Sequence, residues 1–411
     1  MNALLYPAAD GARWNAGSAL GTAISVTYSF MATIPSYSLG GEHPGFQPLT
    51  AAQQSAVRAV LAEYSHVAKV NFIDVSDSGA GGQLRFGRDQ QSDSVGYAYA
   101  PSLFDPQGGD VWLDVDDPSN LLLAPGEDGL HTIIHEIGHA LGLKHPGNYS
   151  GHEDSPFLPA AEDNQAYTAM AYDEAAGAMP ETLMLYDIAA LQALYGVNRA
   201  WHAGDDVYAL PFDRAFRQTL WDGAGNDTLD FAAFVQSLRV DLQPGAFSTI
   251  GMISGQNKLA IAFGTVIENA IGGSADDTLV GNAAANVLAG GGGNDVLTGG
   301  AGADTFDFSA ILDAATNVDT ITDFFPGTDR ILLDLEVFSG LGAAGPLAAE
   351  ALAMGGGMAQ GQEGDDRIVY DTSSGALYFD PDGIGGAAAV QFALLGTTSH
   401  PALAYSDFDL V

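Results

Sequence analysis

Between His131 and Gly147 the chain reads HTIIHEIGHALGLKHPG, and within it His135, Glu136, His139, Gly142 and His145 keep the spacing HExxHxxGxxH. Residues four apart share a face of an α-helix, so His135 and His139 can direct two imidazoles at one ion while Glu136 leans over the same point. That combination is a pair of zinc ligands and a base. Gly142 permits the positive φ at which a helix stops and turns back, which lets His145 arrive as a third ligand from outside the helix. Three imidazoles leave a fourth position open, and water held there loses its proton near neutral pH, the mark of a catalytic rather than a structural zinc. His131 lies one turn before His135 on the same face and could form an alternative pair with it. With no glutamate beside it, His131 reads as a residue of the helix start or one standing behind the ligands.

Several elements must hold this helix in place. Ile24–Phe30 (ISVTYSF) alternates apolar and small polar residues as a first strand does. Thr50 with Gln53 forms a capping-box signature, and Val57, Val60, Leu61, Tyr64 and Val67 follow at helical spacing. Val70–Val75, Gln83–Arg88 and Gly109–Val115 are short strands between Gly, Ser and Asp clusters. Glu181–Asn198 has a helical apolar pattern that stops at Gly196, with Asp187 as a structural polar group inside it.

The 411 residues suffice for two domains, each with its own core. Asp+Glu 51 against Lys+Arg 13 gives a net charge of −38, which excludes nucleic acid and anionic membrane as natural partners and favours cations. Calcium suits carboxylates and carbonyls best. Cys 0 excludes a disulfide scaffold and a cysteine that caps the zinc. No apolar stretch is long enough to insert in a membrane. MNALLYPAADGARW lacks a basic start followed by a long apolar core, so a cleaved N-terminal secretory signal is not expected.

The zinc motif resembles that of the metzincin metalloproteases, and Tyr167–Tyr172 (YTAMAY) resembles the methionine turn of that clan. The resemblance implies that Met170 is the turn methionine. It also implies that Tyr172 matches the tyrosine which serralysins place on the metal and swing away to bond the tetrahedral intermediate. Arg13-Trp14-Asn15 resembles the start of the serralysin catalytic domain, and the run around Glu181–Asn198 resembles its end. Gly109–Val115, just ahead of the zinc helix, resembles the edge strand along which metzincins lay an extended substrate. The tyrosines of Val95–Pro101 read as packing. Serralysins carry a short prosegment, whereas about a dozen residues precede Arg13 here.

After about residue 200 the character changes to a nine-residue repeat, GGxGxDxUx with U large and apolar. Gly272–Val280, Gly281–Ala289, Gly290–Thr298 and Gly299–Asp307 run end to end, with Leu279, Leu288, Leu297 and Phe306 in register. A flexible linker would not keep that register. Each repeat predicts a Gly-rich turn and a three-residue strand, wound into a parallel β-roll. The turns would cage calcium through Gly290, Gly291, Gly293 and Asp295, and through Gly300, Gly302 and Asp304. Ala284 and Asn286 break the pattern in the second repeat, so a site facing it should be weaker or absent. The resemblance adds further calcium ligands. Asp222, Gly225 and Asp227 would meet carbonyls of His202 and Gly204 and the side chain of Asp206. Val266, Glu268, Gly273, Ala275 and Asp277 would form the first site of the roll, and Asp323 and Asp329 join the set.

The reading is an α+β metzincin catalytic domain over residues 1–199, a zincin-like twisted sheet with helices, then an all-β parallel β-roll over 200–411. The resemblance implies a monomeric, secreted, calcium-dependent zinc metalloendopeptidase with one catalytic zinc and several structural calcium ions. Glu136 would be the general base and Tyr172 would help stabilise the oxyanion. Phe408-Asp409-Leu410-Val411 resembles the uncleaved export signal of type I secretion in Gram-negative bacteria. Expected partners are protein substrates, the type I exporter and a small periplasmic or host inhibitor. The competing class is a calcium-binding adhesin whose zinc domain is inactive.

Overall fold

The computed structural model describes residues 2–7, 12–38, 40–79, 81–251, 258–396 and 399–411; positions 8–11 of the leading segment lie outside them. The chain forms two compact units. The first comprises Met1–Trp201, Arg214–Gly223 and Gly255–Phe263; the second comprises His202–Asp213, Ala224–Ser254 and Gly264–Val411.

In the first unit, strands β1 (Ile24–Phe30), β2 (Val70–Asp74), β3 (Leu84–Asp89), β4 (Gly96–Ala98) and β5 (Asp110–Asp114) form one sheet in the order β2-β1-β3-β5-β4. All pairs are parallel except β4 on β5. This corrects one expectation. The Gly109–Val115 stretch is an interior strand, every residue of β5 being buried, and the edge beside the zinc helix is β4, from the stretch read as packing alone. An apolar DVWLD sequence fits a strand covered on both faces, whereas GYA suits an edge that leaves backbone groups open.

Helix α1 (Ala51–Val67) starts on the expected capping box and buries Val57, Val60, Leu61, Tyr64 and Val67. Full burial of each such side chain stabilises by about 1.5–3 kcal/mol. Tyr64 Oη donates to the Ile134 carbonyl at 2.7 Å, which fixes α1 to the zinc helix α2 (Asp128–Ala140). Helix α3 (Leu185–Tyr195) is shorter than its apolar pattern suggests. The residues before it are used otherwise: the Glu181 N–H bonds the Arg217 carbonyl and Thr182 Oγ1 accepts from the Thr219 N–H. Gly196, at φ 88°, ends the helix. Arg13-Trp14-Asn15 staples helix ends together, with Trp14 Nε1 donating to the Ala140 carbonyl at 2.9 Å and Asn15 Nδ2 to the Leu194 carbonyl at 2.9 Å. Arg217–Leu220 and Lys258–Ile261 add a parallel pair to this unit.

The second unit is built of short strands in two sheets. Successive nine-residue repeats alternate between the sheets, so residues 18 apart become neighbours: Leu279 pairs with Leu297 in one and Leu288 with Phe306 in the other, all in parallel register. All four side chains are fully buried, as the in-register apolar position requires. Val390–Leu395 pairs in parallel with Asp319–Ile321 and antiparallel with Ala376–Phe379. The tail strand Phe408–Leu410 pairs in parallel with Arg330–Leu333 and buries Phe408. Among the described residues no helix is long and apolar enough to cross a membrane.

Candidate active site

Helix α2 brings His135 and His139 to one face, and Gly142 takes the positive φ (97°) that turns His145 back toward them. The three Nε2 atoms converge: His135 to His139 is 3.1 Å, His139 to His145 3.0 Å and His135 to His145 3.3 Å. A carbonyl can only accept, so the contacts of His135 Nδ1 with the Ala169 oxygen (2.9 Å) and His139 Nδ1 with the Leu143 oxygen (2.9 Å) put the proton on Nδ1. Each Nε2 is then a bare lone pair. His145 Nδ1 faces Glu153 Oε1 at 3.8 Å. Burial lowers the affinity of all three rings for a second proton, taking His139 to about 3, and the neighbouring imidazoles lower His135 further. Neutral, converging nitrogens, two of the rings with their outer atoms anchored on carbonyls, are the donor set of a zinc ion, so the residues present fit that metal.

Glu136 lies beside the triad, and its Oε2 is buried with no hydrogen-bond partner. Desolvation pushes its carboxyl up to about 8. Tyr172 is half exposed (57%), its ring centroid 4.5 Å from that of His145 and 5.9 Å from that of His135, and it stacks on Tyr149 at 4.5 Å. Met170 is buried under α2. A Cβ on Gly138 would stand 2.5 Å from its Sδ, so the turn can approach this closely only because residue 138 is glycine. Asp187 fixes the turn: it accepts from Thr168 Oγ1, from the Ala169 N–H at 2.7 Å and from the Met184 N–H at 2.9 Å. Its structural role agrees with the sequence reading. His131 stands behind the ligands, buried, with its ring centroid 6.2 Å from that of His135.

A cleft of about 320 Å³ opens over the triad, lined in part by Gly96–Ala98, Glu136, Lys144 and Tyr172. Sequence reasoning missed two of its supports. Lys144 is buried, and its Nζ donates to the carbonyls of His145 (3.2 Å) and Pro156 (3.1 Å), which clasps the loop after the third ligand. Tyr6 lines the same cleft, its segment held by the Lys144 N–H on the Leu4 carbonyl at 2.8 Å. The apolar Leu4-Leu5 pair ahead of Tyr6 is the only local signal of that docking.

In the second unit the expected cation ligands form two stacks. In one, the Asp206 N–H bonds Asp227 Oδ1 at 2.8 Å and the Asp227 N–H bonds Glu268 Oε2 at 2.8 Å. Gly225 packs so closely on the Gly204 carbonyl that a Cβ there would collide with its oxygen. That stack continues with the Asn286 N–H on Asp304 Oδ1 (2.9 Å) and the Asp304 N–H on Asp329 Oδ1 (3.0 Å). In the other, the Asp277 N–H bonds Asp295 Oδ1 at 2.7 Å and the Asp295 N–H bonds Asp319 Oδ1 at 3.1 Å. Gly291 and Gly293 lie over the carbonyls of Gly273 and Ala275. Glu268 therefore keeps company with Asp227, whereas Gly273, Ala275 and Asp277 join Asp295; Val266 is partly exposed in the strand approach to Glu268. Asp323 receives the N–H groups of Gly299 (2.9 Å) and Gly300 (2.8 Å). Asp222 is buried in the first unit. Gly290 leaves no room for a side chain beside Asp295 Oδ2, and Gly302 lies over the Ala284 carbonyl.

The second-unit oxygens Asp227 Oδ2 and Asp295 Oδ2 are buried without partners, a chemistry that fits a hard cation. Burial raises the carboxyl pKa of Asp295, Asp319, Asp277 and Asp304 above the ordinary range, and neighbouring carboxylates push Asp295 up further. The second repeat is different. Asn286 Nδ2 donates to the Glu268 carbonyl at 2.9 Å and Asn282 Nδ2 to the Ile267 carbonyl at 2.7 Å, so two amides occupy carbonyl oxygens that a cation would otherwise use. Asp319 continues the ladder and was missed, because it falls outside the nine-residue register.

Comparison with known proteins follows this geometry. A family model described as matrixin matches residues 35–196, and one described as the serralysin C-terminal part of peptidase M10 matches residues 186–343. Metalloprotease AprA of Pseudomonas entomophila is 40% identical over 379 residues, covering 81% of this chain and 76% of that protein. Serralysin G of Dickeya chrysanthemi is 35% identical over 368 residues, covering 79% and 75%. Serralysin C of the same organism is 34% identical over 304 residues, covering 66% of this chain and 61% of its own length.

Proposed function

The chain belongs to the serralysin family of metzincin zinc metallopeptidases, and on that premise we propose that it is a secreted, calcium-dependent endopeptidase acting on extracellular proteins. The observation that carries the proposal is the convergence of His135, His139 and His145 Nε2 within 3.0–3.3 Å, beside a buried carboxyl at Glu136.

The three imidazoles are the zinc ligands. Zinc, when bound, supplies the positive charge that polarises a water and the scissile carbonyl. Strand β4 offers its open backbone edge to an extended peptide, so main-chain hydrogen bonds align the bond to be cut. Glu136 takes a proton from the attacking water and returns it to the leaving amine. Burial favours this double duty, because it raises the proton affinity of a carboxylate that would otherwise be a weak base. Tyr172, at the rim of the triad, would join the three imidazoles in holding the ion, and its hydroxyl would donate to the oxyanion as the carbonyl becomes tetrahedral. Met170, locked by Thr168 and Asp187, supports the floor under the imidazoles.

We assign catalysis to residues 1–199 and calcium binding to residues 200–411. Calcium is held by the stacked turns of the roll: His202, Gly204, Asp206, Asp222, Gly225 and Asp227, then Val266, Glu268, Gly273, Ala275 and Asp277. The repeats from Gly290 to Asp304, with Asp323 and Asp329, complete the set. Extracellular modules bind calcium at about 10⁻⁴–10⁻³ M, so the roll folds outside the cell after passage through a type I exporter. A small periplasmic or host protein that fills the cleft is the expected inhibitor.

The test is casein cleavage across a calcium titration, with and without o-phenanthroline. Cleavage should require both metals. Glu136→Ala should lower kcat by about 10²–10⁴-fold with zinc content unchanged. Calcium-induced folding with no cleavage of any denatured protein would move the chain to the adhesin reading.

A further inference from the structure

Strand β4 is three residues long, and alternation along it sends its side chains to opposite faces of the sheet. Gly96 and Ala98 face α2: a Cβ at Gly96 would meet Thr132 Cγ2 at 3.1 Å and Glu136 Cγ at 3.2 Å, and Ala98 packs on the core beneath the helix. Tyr97 takes the other face and is the only side chain of β4 larger than a methyl group. Backbone pairing with β5 holds one edge of β4 and leaves the other open. The tilt of that open edge is therefore set by whatever holds Tyr97.

What holds it is a closed polar cluster on the face away from α2. Tyr97 Oη donates to Asp89 Oδ2 at 2.8 Å, and His43 Nδ1 lies 2.9 Å from the same oxygen. Gln91 Nε2 donates to Asp89 Oδ1 at 2.9 Å. A carboxylate oxygen only accepts, so His43 Nδ1 carries a hydrogen and both Asp89 oxygens are filled. Burial, reinforced by the bond to Asp89, raises the Tyr97 hydroxyl well above the ordinary phenol range, and it stays a donor. Asp89 and His43 are only 1% and 6% exposed. The aromatic groups lock the same cluster: the His43 ring stacks on Trp112 at 3.7 Å and 8°, and Trp112 is the residue that Tyr97 faces across the β4–β5 pair. Gly87 makes room for it, since a Cβ there would stand 2.9 Å from Trp112 Cζ3. A buried carboxylate with every acceptor filled resists displacement, because moving one donor leaves the group unsatisfied.

Tyr97 lines the zinc cleft, whereas His43 and Asp89 stand behind it and are not among its lining residues. We propose that His43 and Asp89 are positioning residues for the substrate: through the Tyr97 hydroxyl they fix the angle at which the open edge of β4 meets an extended peptide. The inference rests on the reading of β4 as the substrate strand for its effect on turnover, and on the filled carboxylate for the anchor itself. His43 comes from the segment between β1 and α1 and Asp89 from the end of β3, so the anchor ties three separate parts of the chain to the strand.

The experiment uses the zinc- and calcium-loaded protein, an extended fluorogenic peptide, and the variants Tyr97→Phe, His43→Leu and His43→Gln. Tyr97→Phe should raise KM by about threefold to tenfold and leave kcat within about twofold, because the strand aligns the peptide equally in the ground and transition states. His43→Leu should do the same. His43→Gln keeps an N–H donor for Asp89 and should return KM to within about twofold of the unaltered protein. A loss of folded molecules would lower apparent kcat and leave KM alone, so it does not imitate this split. In parallel, hydrogen–deuterium exchange compares the unaltered protein with Tyr97→Phe. The β4 amides should exchange at least about fivefold faster in the variant, with those of α2 unchanged. Faster β4 exchange in a protein that cleaves no peptide would uphold the anchor and sink the peptidase reading. Cleavage with KM unmoved by both Tyr97→Phe and His43→Leu would overturn the positioning role and leave the peptidase intact.

Discussion

The zinc triad and the stacked turns of the second unit are both clusters of potential ligands, but they solve opposite problems. At the triad the donors are neutral imidazoles, and two of the three are already anchored through Nδ1 to backbone carbonyls. Gathering them costs desolvation but little mutual repulsion, so the site takes its shape from the protein alone. In the turns the donors are carboxylates. Asp277, Asp295 and Asp319 stack through one another's N–H groups, and burial together with like charge raises their proton affinity. With Lys+Arg 13 against Asp+Glu 51 over the whole chain, few side chains can offset that charge. The charge of the donors therefore decides whether such a cluster is at ease without a cation or strained by its own repulsion.

The largest effect that would break this contrast is calcium removal. In excess chelator at neutral pH the strand signal of the second unit in circular dichroism should be lost, while the helical signal of the first unit persists. Full strand content without calcium would refute the distinction. The pH dependence sharpens it. The carboxyl pKa values of Asp295 and Asp319 are raised in the folded state above the ordinary 3.8, so the ion-free fold binds more protons than the unfolded chain. Its stability is then fully present below that ordinary value and lost as pH rises from there toward neutrality. Acidification in chelator should restore the strand signal; a loss on acidification would reverse the assignment.

A smaller effect is expected in the first unit. Asp187→Ala strips the methionine turn of the acceptor for three hydrogen bonds and should lower urea stability by about 2–4 kcal/mol, with no change in calcium-induced strand formation. Smaller again is Asn286→Asp. It replaces an amide that satisfies the Glu268 carbonyl with a carboxylate. Calorimetry should count one more calcium ion per chain. An unchanged ion count would show that the amide does not stand in for a cation. Thr50→Ala, which removes a side-chain cap of α1 and touches neither cluster, should cost about 1 kcal/mol in thermal unfolding.

Much of this was legible in the residues because the causes are local. The zinc helix, the φ of Gly142, the capping box of Thr50 and Gln53, and the nine-residue register of Leu279, Leu288, Leu297 and Phe306 each follow from positions within a turn or two of chain. The amides of the second repeat were legible for the same reason, since Asn286 breaks a pattern its neighbours keep. The identity of the outermost strand was not. Whether Gly96–Ala98 or Asp110–Asp114 lies outermost depends on the order in which distant strands pair, and DVWLD reads equally well as an edge until β4 is seen to cover it.

By itself, then, the amino-acid order determined the spacing that gathers three imidazoles beside a carboxyl, and the winding period of the second unit with its crowd of carboxylates, because these depend on side-chain type and short-range spacing. Only the tertiary structure decided which strand forms the open edge of the sheet, that Lys144 clasps the loop after the third ligand, that Asp319 extends the carboxylate ladder, and that His131 and Gln165 lie buried in the wall of a cavity beside Glu136. The physical reason is the same in each case. A buried polar atom acquires its meaning from which partners packing brings to it or withholds, and packing joins residues that the chain keeps far apart.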